Sequence, residues 1–366
     1  MSAHRISGTV SAVPANDLRT LHPTGSRFGW PSGATWKALG AHIVVPLFLA
    51  AGMALAYLGG FHPDPHNVPV AIVGDTPQTM VFAQSMNDKA GDKLDVRTVS
   101  DDAAARRLVT DGTVLAAYEM DATHATILVA SAASATAVDV AQKVFMPIAY
   151  EQHLPIAVDD LRAANPSDAS GQGLFFLLVA LTVGSYASAI AVAAVTAKVS
   201  VGWRLGIVAA VAGVIAAIGV IVAGPIYQVV DGNQWGVWLL AWLYAFGIIS
   251  IGVGLHPALG KWTTPALTGL FVMLNVTSSG GVFPSSLMPP LFAGLNSFWN
   301  GAAWLDAVQS LLYFPGRAFG FDGLRLALWA TAGIGLVLVT HLWSIRKRRL
   351  ADESIDVTEE DEVIAA

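Results

Sequence analysis

The sequence predicts an α-helical polytopic membrane protein with about six transmembrane helices and an extracytoplasmic α/β domain inserted between the first and second spans. Of the 366 residues, 54% are hydrophobic and only 13% are charged, and the mean hydropathy is +0.57. A typical soluble domain has about twice that share of charge. Apolar runs of about 18 residues or more, long enough to cross about 30 Å of hydrocarbon, recur along the chain. Residues 62–171 instead have short apolar segments and charges of both signs, as a soluble domain does.

The first 37 residues are polar and rich in Gly, Ser and Pro, and their single acid is outnumbered by Arg5, Arg19, Arg27 and Lys37. We predict that residues 1–37 form a cytoplasmic leader. The apolar run 38–61 begins too far from the start, and is too long, to be a cleaved signal peptide. It therefore predicts a first transmembrane helix that is retained.

The α/β domain is predicted from alternating strand and helix signals. Helix starts are indicated at Thr76-Pro77, where Pro suits the first turn, and at Ser100-Asp102, where Ser and Asp suit an N-cap. A third helix is predicted at about 135–152. Runs rich in Val, Ile and other apolar residues, separated by polar turns, predict strands at 68–73, 93–99, 114–118 and 125–130.

The second apolar block, 172–345, predicts a five-span membrane domain. Its longest break, 284–315, remains apolar and contains several prolines, so we predict a re-entrant segment packed against the helices. Residues 346–366 are predicted to form a cytoplasmic acidic tail. The predicted spans are 173–196, 204–226, 235–256, 264–284 and 325–345.

The orientation follows from the distribution of Lys and Arg. Basic residues in the leader, in the loop 197–204, at Lys261 and at 346–349 all fall on one side of the predicted spans. The positive-inside rule makes that side cytoplasmic. We therefore predict a multi-pass protein of the cell membrane with both termini in the cytoplasm.

Several function classes lack support in the sequence. There is no cysteine, so disulfides and thiolate chemistry are excluded. The pair Gly260-Lys261 lacks the rest of a P-loop, and no common hydrolase or metalloprotease motif is present. We expect no enzymatic activity, no cofactor and no nucleic-acid partner. His62, Asp64 and His66 could ligate a metal, but a proline-stiffened linker is the favoured interpretation and we assign no metal site.

Polar residues within the spans are the candidates for a transport pathway. Ser185, Tyr186, Asn275 and Thr277 lie where polar groups are costly, although helix–helix hydrogen bonding is the more common explanation for such residues. The span centres carry no full charge, which argues against an ion-coupled carrier. At the predicted cytoplasmic surface, Trp and basic residues indicate either interfacial anchoring or docking of a soluble partner. These are Trp36, Lys37, Lys198, Trp203 and Arg204.

The order of elements carries a family resemblance. One span is followed by an outer domain that opens with the strand 68–73 and the turn Gly74-Asp75, by the segment 100–112 leading into the strand at 114–118, and by five spans. The run Ser279-Pro284, with Leu287-Pro289 and Pro315, is rich in Gly and Pro. From about Trp36 to Arg349 the chain resembles the ABC-2 type (type V) exporter permeases, including the phage-infection-protein-like branch. Its loop 197–204 is shorter than the coupling helix of that family.

The resemblance implies the permease subunit of an ATP-driven exporter that moves an amphipathic or lipid-like substrate. It further implies a separate ABC ATPase subunit, a homodimer or a sister permease, and a lipid bilayer as partners. The docking residues above would then form the ATPase-coupling surface. The alternative is a non-transporting receptor or scaffold that displays the α/β domain. The residues expected to form the pathway or its re-entrant cap are Ser185, Tyr186, Asn275, Thr277, Gly280, Gly281, Pro284 and Pro289.

Overall fold

The computed structural model describes the backbone of residues 33–61, 63–168, 170–314 and 319–365, and their side chains except at 35, 38–42, 319, 348 and 350–365. Most of the predicted leader, together with His62 and Pro315, lies outside these residues. The chain divides into two compact units, 1–46 and 47–366. The first unit contributes the beginning of helix α1, Gly33–Gly60, where Trp36 and Lys37 are exposed. All contacts below belong to the second unit.

The second half of α1 makes few contacts. Gly52 lets the helix approach Met273, since a Cβ there would lie 2.6 Å from the Met273 Cε. The hydroxyl of Tyr57 donates to the Val272 carbonyl at 3.4 Å. Phe48 and Leu55 are more than two-thirds exposed. This apolar surface is suited to lipid contact.

The α/β domain is a five-stranded mixed sheet with the order β2-β1-β3-β4-β5. Strand β1 is parallel to β2 and β3, β4 is antiparallel to β3, and β5 is parallel to β4. The elements are β1 Val68–Val73, α2 Pro77–Ala90, β2 Leu94–Val99, α3 Asp102–Thr110, β3 Ala116–Met120, β4 Ala125–Val129, α4 Ala135–Glu151 and β5 Ile156–Asp160.

Local sequence explains most of these elements. The helices α2, α3 and α4 are preceded by the N-cap residues Thr76, Asp101 and Ser134, and each side chain accepts a hydrogen bond from the backbone N–H three residues on. One face of the sheet packs Val70 and Tyr118 against Phe145 of α4. The sequence prediction omitted β5, which forms beside β4.

The membrane domain follows. Five helices in the described residues are long and apolar enough to cross a membrane: Ile43–Gly60, Gly173–Val195, Val201–Ile226, Gln234–Ser278 and Gly320–Lys347. The second to fourth of these contain α5 Gly173–Val195, α6 Val201–Ile221, α7 Gln234–Leu259, α8 Thr263–Leu267 and α9 Asn275–Ser278, and the fifth is part of α12 Phe319–Ala365. Residues 268–274, between α8 and α9, form a π-helical segment. The predicted tail continues α12 to Ala365.

The 45-residue apolar segment Gln234–Ser278 folds back on itself. Tyr244 and Asn275 are 31 positions apart but their side chains are hydrogen-bonded, whereas a straight helix would separate them by about 46 Å. A Cβ at Gly252 would lie 2.8 Å from the side chain of Leu267. The reversal occurs at Gly260, whose φ is +51°. Two antiparallel arms therefore take the place of the predicted spans 235–256 and 264–284, and the second arm ends earlier, at Ser278.

Residues 279–314 form a second helical hairpin, which we call the cap. It contains α10 Pro290–Asn296 and α11 Asn300–Leu312. Its tip residue Trp299 donates from Nε1 to the Leu270 carbonyl at 3.3 Å. Leu270 lies eight residues before Ser278, so the tip reaches about 12 Å into the bundle. That this segment re-enters a bilayer stays a prediction.

The cap is joined to the α/β domain by backbone and side-chain contacts. The N–H groups of Asp64 and His66 donate to the carbonyls of Leu287 and Ser286 at 3.0 and 2.9 Å. Leu287 is fully buried in the core of the α/β domain. Gln309 of α11 donates from Nε2 to the Ala133 carbonyl at 3.1 Å. A movement of the α/β domain would therefore be transmitted to the cap.

Candidate functional site

A set of buried polar side chains lies where the cap meets the bundle, and we call Thr182, Tyr244 and Asn275 the central polar cluster. The hydroxyls of Thr182 and Tyr244 lie 2.6 Å apart, and Asn275 Nδ2 donates to the Tyr244 hydroxyl at 2.5 Å. All three residues are at most 1% exposed. The cluster joins α5 to both arms of the folded-back helix.

The cap closes this cluster from the side of α11. A Cβ at Gly301 would lie only 1.9 Å from Asn275 Oδ1, so the amide packs directly on the α11 backbone. One turn later, the ring of Trp304 lies 5.9 Å from that of Tyr244. Asn275 therefore contacts both the bundle and the cap.

Unpaired polar atoms are concentrated at this junction. Asn275 Oδ1, both side-chain polar atoms of Asn300 and Trp304 Nε1 are buried and have no hydrogen-bond partner among the described residues. A buried polar group without a partner costs about 1–3 kcal/mol. Such groups call for an explanation, and space for water or a polar ligand is one. The junction is therefore the candidate functional site of the described residues.

An ion-paired cluster fixes the cap to α12. Arg325 Nη1 donates to Asp306 Oδ2 of α11 at 3.2 Å and to Asp322 Oδ1 at 2.9 Å. Its Nη2 donates to the Asn296 carbonyl at the end of α10 at 2.5 Å. Arg325 is only 8% exposed. One buried guanidinium thus holds both helices of the cap.

The polar residues predicted for the pathway have different surroundings. Ser185 and Thr277 are buried, but their hydroxyls donate to carbonyls one turn earlier in their own helices, a common local bond for Ser and Thr in helices. Tyr186 is half-buried against the apolar core. Only Asn275 joins the cluster. Sequence reasoning missed Thr182 and Tyr244, because a single hydroxyl in an apolar helix does not reveal its partner.

The predicted cap residues occupy turns and helix starts. Gly280 has φ +91°, a conformation that favours glycine. A Cβ at Gly281 would lie 2.3 Å from Phe175. Pro284 immediately precedes the 3₁₀ turn Ser285–Leu287, and Pro289 immediately precedes α10. These residues shape the cap, and their place in a pathway stays a prediction.

A cavity of about 720 Å³ lies at the opposite end of the bundle from the α/β domain, and we call it the basal cavity. It is formed where α5, α7 and the apolar part of α12 end and where α6 begins. Its polar lining consists of Thr196, Lys198, Ser200, Arg204, His256, Thr340, His341 and Ser344.

The residues predicted to couple an ATPase separate into different environments. Arg204 is 7% exposed, and its Nη2 donates to the Thr196 and Ala197 carbonyls at 2.8 and 3.2 Å. From the first turns of α6 it therefore holds the residues that directly follow α5, and it offers little exposed surface. Lys198 is exposed at the cavity, and Trp203 is 74% exposed. Trp36 and Lys37 belong to the first unit.

The residues considered as possible metal ligands, His62, Asp64 and His66, were not assigned to a metal site. Asp64 Oδ2 and His66 Nε2 lie 3.6 Å apart, but His62 lies outside the described residues. Within the described part of the chain, no group of three His, Asp or Glu side chains is placed to bind a metal ion.

No protein-family model matches the chain, and neither curated proteins nor solved structures show a significant match. The likeness to ABC-2 type permeases therefore stays an inference from the order and character of its segments.

Proposed function

We propose that this chain is the membrane permease subunit of an ATP-driven exporter of the ABC-2 type. The observation that carries the proposal is the junction between the cap and the central polar cluster. A membrane anchor gains nothing from unpaired polar atoms beneath a helical hairpin, whereas a gate needs polar groups that a substrate or water can contact when it opens. Most of the other buried residues of the bundle form one large apolar core, which suits an amphipathic or lipid-like substrate.

The connection from the basal end to this junction supports coupling to a separate ABC ATPase. Arg204 of α6 donates to the carbonyls of Thr196 and Ala197, the first two residues after α5. Helix α5 carries Thr182, which bonds Tyr244. A push on the exposed Lys198 and Trp203 would thus displace α5 at the central polar cluster. The push would come from an ATPase in the cytoplasm, with a second copy or a sister permease completing the assembly.

The test is purification of the intact chain from its native membrane in mild detergent, followed by identification of bound proteins and an ATPase assay. Trp203→Ala should reduce ATPase recovery at least several-fold, because this exposed ring lies on the proposed coupling surface. Trp235→Ala is the matched control, since Trp235 is 82% exposed, similar to Trp203, and lies at the other end of the bundle. Recovery of the chain without an ATPase in several detergents would contradict the proposal.

A second candidate is a receptor or scaffold that displays the α/β domain. It is favoured by an open groove of about 880 Å³ along α4 and β5. The groove exposes Tyr150 and Met146 beside Lys143 and Glu151. A partner captured through this groove, in the absence of any ATPase, would support the receptor over the exporter.

A further inference from the structure

The basal cavity has the composition of an anion site. Lys198 and Arg204 supply two positive charges, and His256 and His341 add two imidazoles. None of the described residues that line the cavity is acidic. The hydroxyls of Thr and Ser side chains, together with neighbouring backbone groups, complete the polar lining. A volume of about 720 Å³ falls within the range of ordinary small-molecule sites.

Arg204 is a buried cation whose hydrogen bonds are incomplete. It is 7% exposed, and its Nε has no hydrogen-bond partner within the described part of the chain. Its bonds to carbonyls all use Nη2. A guanidinium has five N–H donors arranged to meet the oxygens of a phosphate or carboxylate. Arg204 is among the residues that line the cavity, so a guanidinium that uses only Nη2 for its hydrogen bonds within the described part of the chain borders this space.

The start of α6 reinforces the positive potential. The helix is 21 residues long, and Ser200, its N-cap residue, lines the cavity without making a side-chain capping bond. The N–H groups of a first turn are free of intrahelical partners and favour an anion. The carbonyls of Thr196 and Ala197, just after α5, are already bonded to Arg204.

The position of the cavity identifies the source of the anion. One wall is the end of α5, whose apolar segment ends at Val195. Another is formed by residues 340–345 of α12, within the last two turns of the apolar segment that ends at Lys347. Lipid phosphates lie at this depth of a bilayer, and basic pockets between transmembrane helices bind anionic headgroups. We propose that the basal cavity binds the phosphate of an anionic phospholipid headgroup. This site does not depend on the proposed transport function, because a lipid can bind the chain without an ATPase.

The test is retention of lipid by the purified full-length chain, measured by native mass spectrometry after incubation with equal amounts of phosphatidylglycerol and phosphatidylcholine. Phosphatidylglycerol should be retained several-fold more. Lys198→Gln combined with His341→Gln should abolish most of that preference while leaving Arg204 and the fold of the loop in place. Lys261→Gln is the control, because it removes one charge at the same end of the bundle without lining the cavity.

Three outcomes would overturn the proposal. One is equal retention of the two lipids. Another is an unspecific effect of the substitutions, seen when the double variant keeps the preference or when Lys261→Gln loses it equally. The third concerns the source of the phosphate. If millimolar inorganic phosphate displaced phosphatidylglycerol completely, the cavity would be a site for free phosphate and not for a lipid headgroup.

Discussion

The side-chain amide of Asn275 donates a hydrogen bond to the hydroxyl of Tyr244 and turns its oxygen toward the backbone of Gly301. One side chain thus connects the two arms of the folded-back helix and the cap. Because these contacts are buried, substitutions at any two of the three positions should have non-additive effects on the free energy of unfolding.

Gly301→Ala should destabilise the membrane domain. The added Cβ would lie 1.9 Å from Asn275 Oδ1, and overpacking of this kind costs about 1–3 kcal/mol. The measurement is the thermal unfolding midpoint of the chain in detergent. Gly294→Ala in α10 is the control, since its Cβ would meet nothing within 4 Å. Adding Asn275→Ala should recover part of the loss, and equal midpoints for Gly301→Ala and Gly294→Ala would contradict this geometry.

Gly333→Ala should disturb the packing of α12 on α7. Its Cβ would lie 2.2 Å from the hydroxyl of Ser250, so the helices must separate or Ser250 must lose its bonds to its own helix. Gly335→Ala in the same helix should have little effect, because its Cβ has open space. Unfolding midpoints check the pair, and adding Ser250→Gly should recover only part of the loss, because the Gly247 carbonyl would still lie 3.2 Å from the new Cβ. A Gly333→Ala chain as stable as Gly335→Ala would show that the helices are not in close contact here.

The reversal at Gly260 predicts the sidedness of three exposed loops. The chain has no native cysteine, so single cysteines at Asp231, Lys261 and Ser285 can be labelled cleanly with an impermeant thiol reagent. Positions 231 and 285 should react from one face of a sealed vesicle and position 261 from the other. Opposite sidedness of 231 and 285 would mean that Gln234–Ser278 crosses the membrane once as a single helix.

Asn87→Ala should weaken the attachment of α2 to β2. The Asn87 side chain accepts from the Val96 N–H at 2.9 Å and donates to the Val96 carbonyl at 3.2 Å. Loss of two partly buried bonds should cost about 1–3 kcal/mol, visible as faster hydrogen exchange of the Val96 amide. Gln84→Ala, an exposed change on the same helix, should leave that exchange rate unchanged. Equal rates in both variants would assign the stability of this edge to apolar packing alone.

The α/β domain was predictable because its signals are local. Strand β1 has the predicted bounds, and α2 and α3 begin at the predicted caps. Strand β5 was missed because Ile156–Asp160 ends in two acids and is largely exposed. It forms by pairing with β4, a partner about 30 residues away in sequence, which a local pattern does not encode.

The central polar cluster was only partly predictable for the same reason. Asn275 is conspicuous as an amide in an apolar run, so sequence reasoning selected it. Its partner Tyr244 resembles any aromatic residue of a membrane helix, and the contact exists only because the chain reverses at Gly260. The burial of Arg204 against the carbonyls that follow α5 could not be predicted either, because every residue has a backbone carbonyl and the sequence does not show which ones it binds.

The most direct test of ATP-driven gating uses a cysteine at the buried position 185. Ser185 is 0% exposed and lies one turn after Thr182 on α5, and Ser185→Cys changes its volume little. In native membranes that contain the whole assembly, ATP should raise the rate at which a water-soluble thiol reagent labels this cysteine several-fold over ADP. The exposed Asp231→Cys should label equally in both. ATP can shift the bundle only if it binds the two states with different affinity, so identical Ser185→Cys labelling with ATP and ADP would contradict the exporter account.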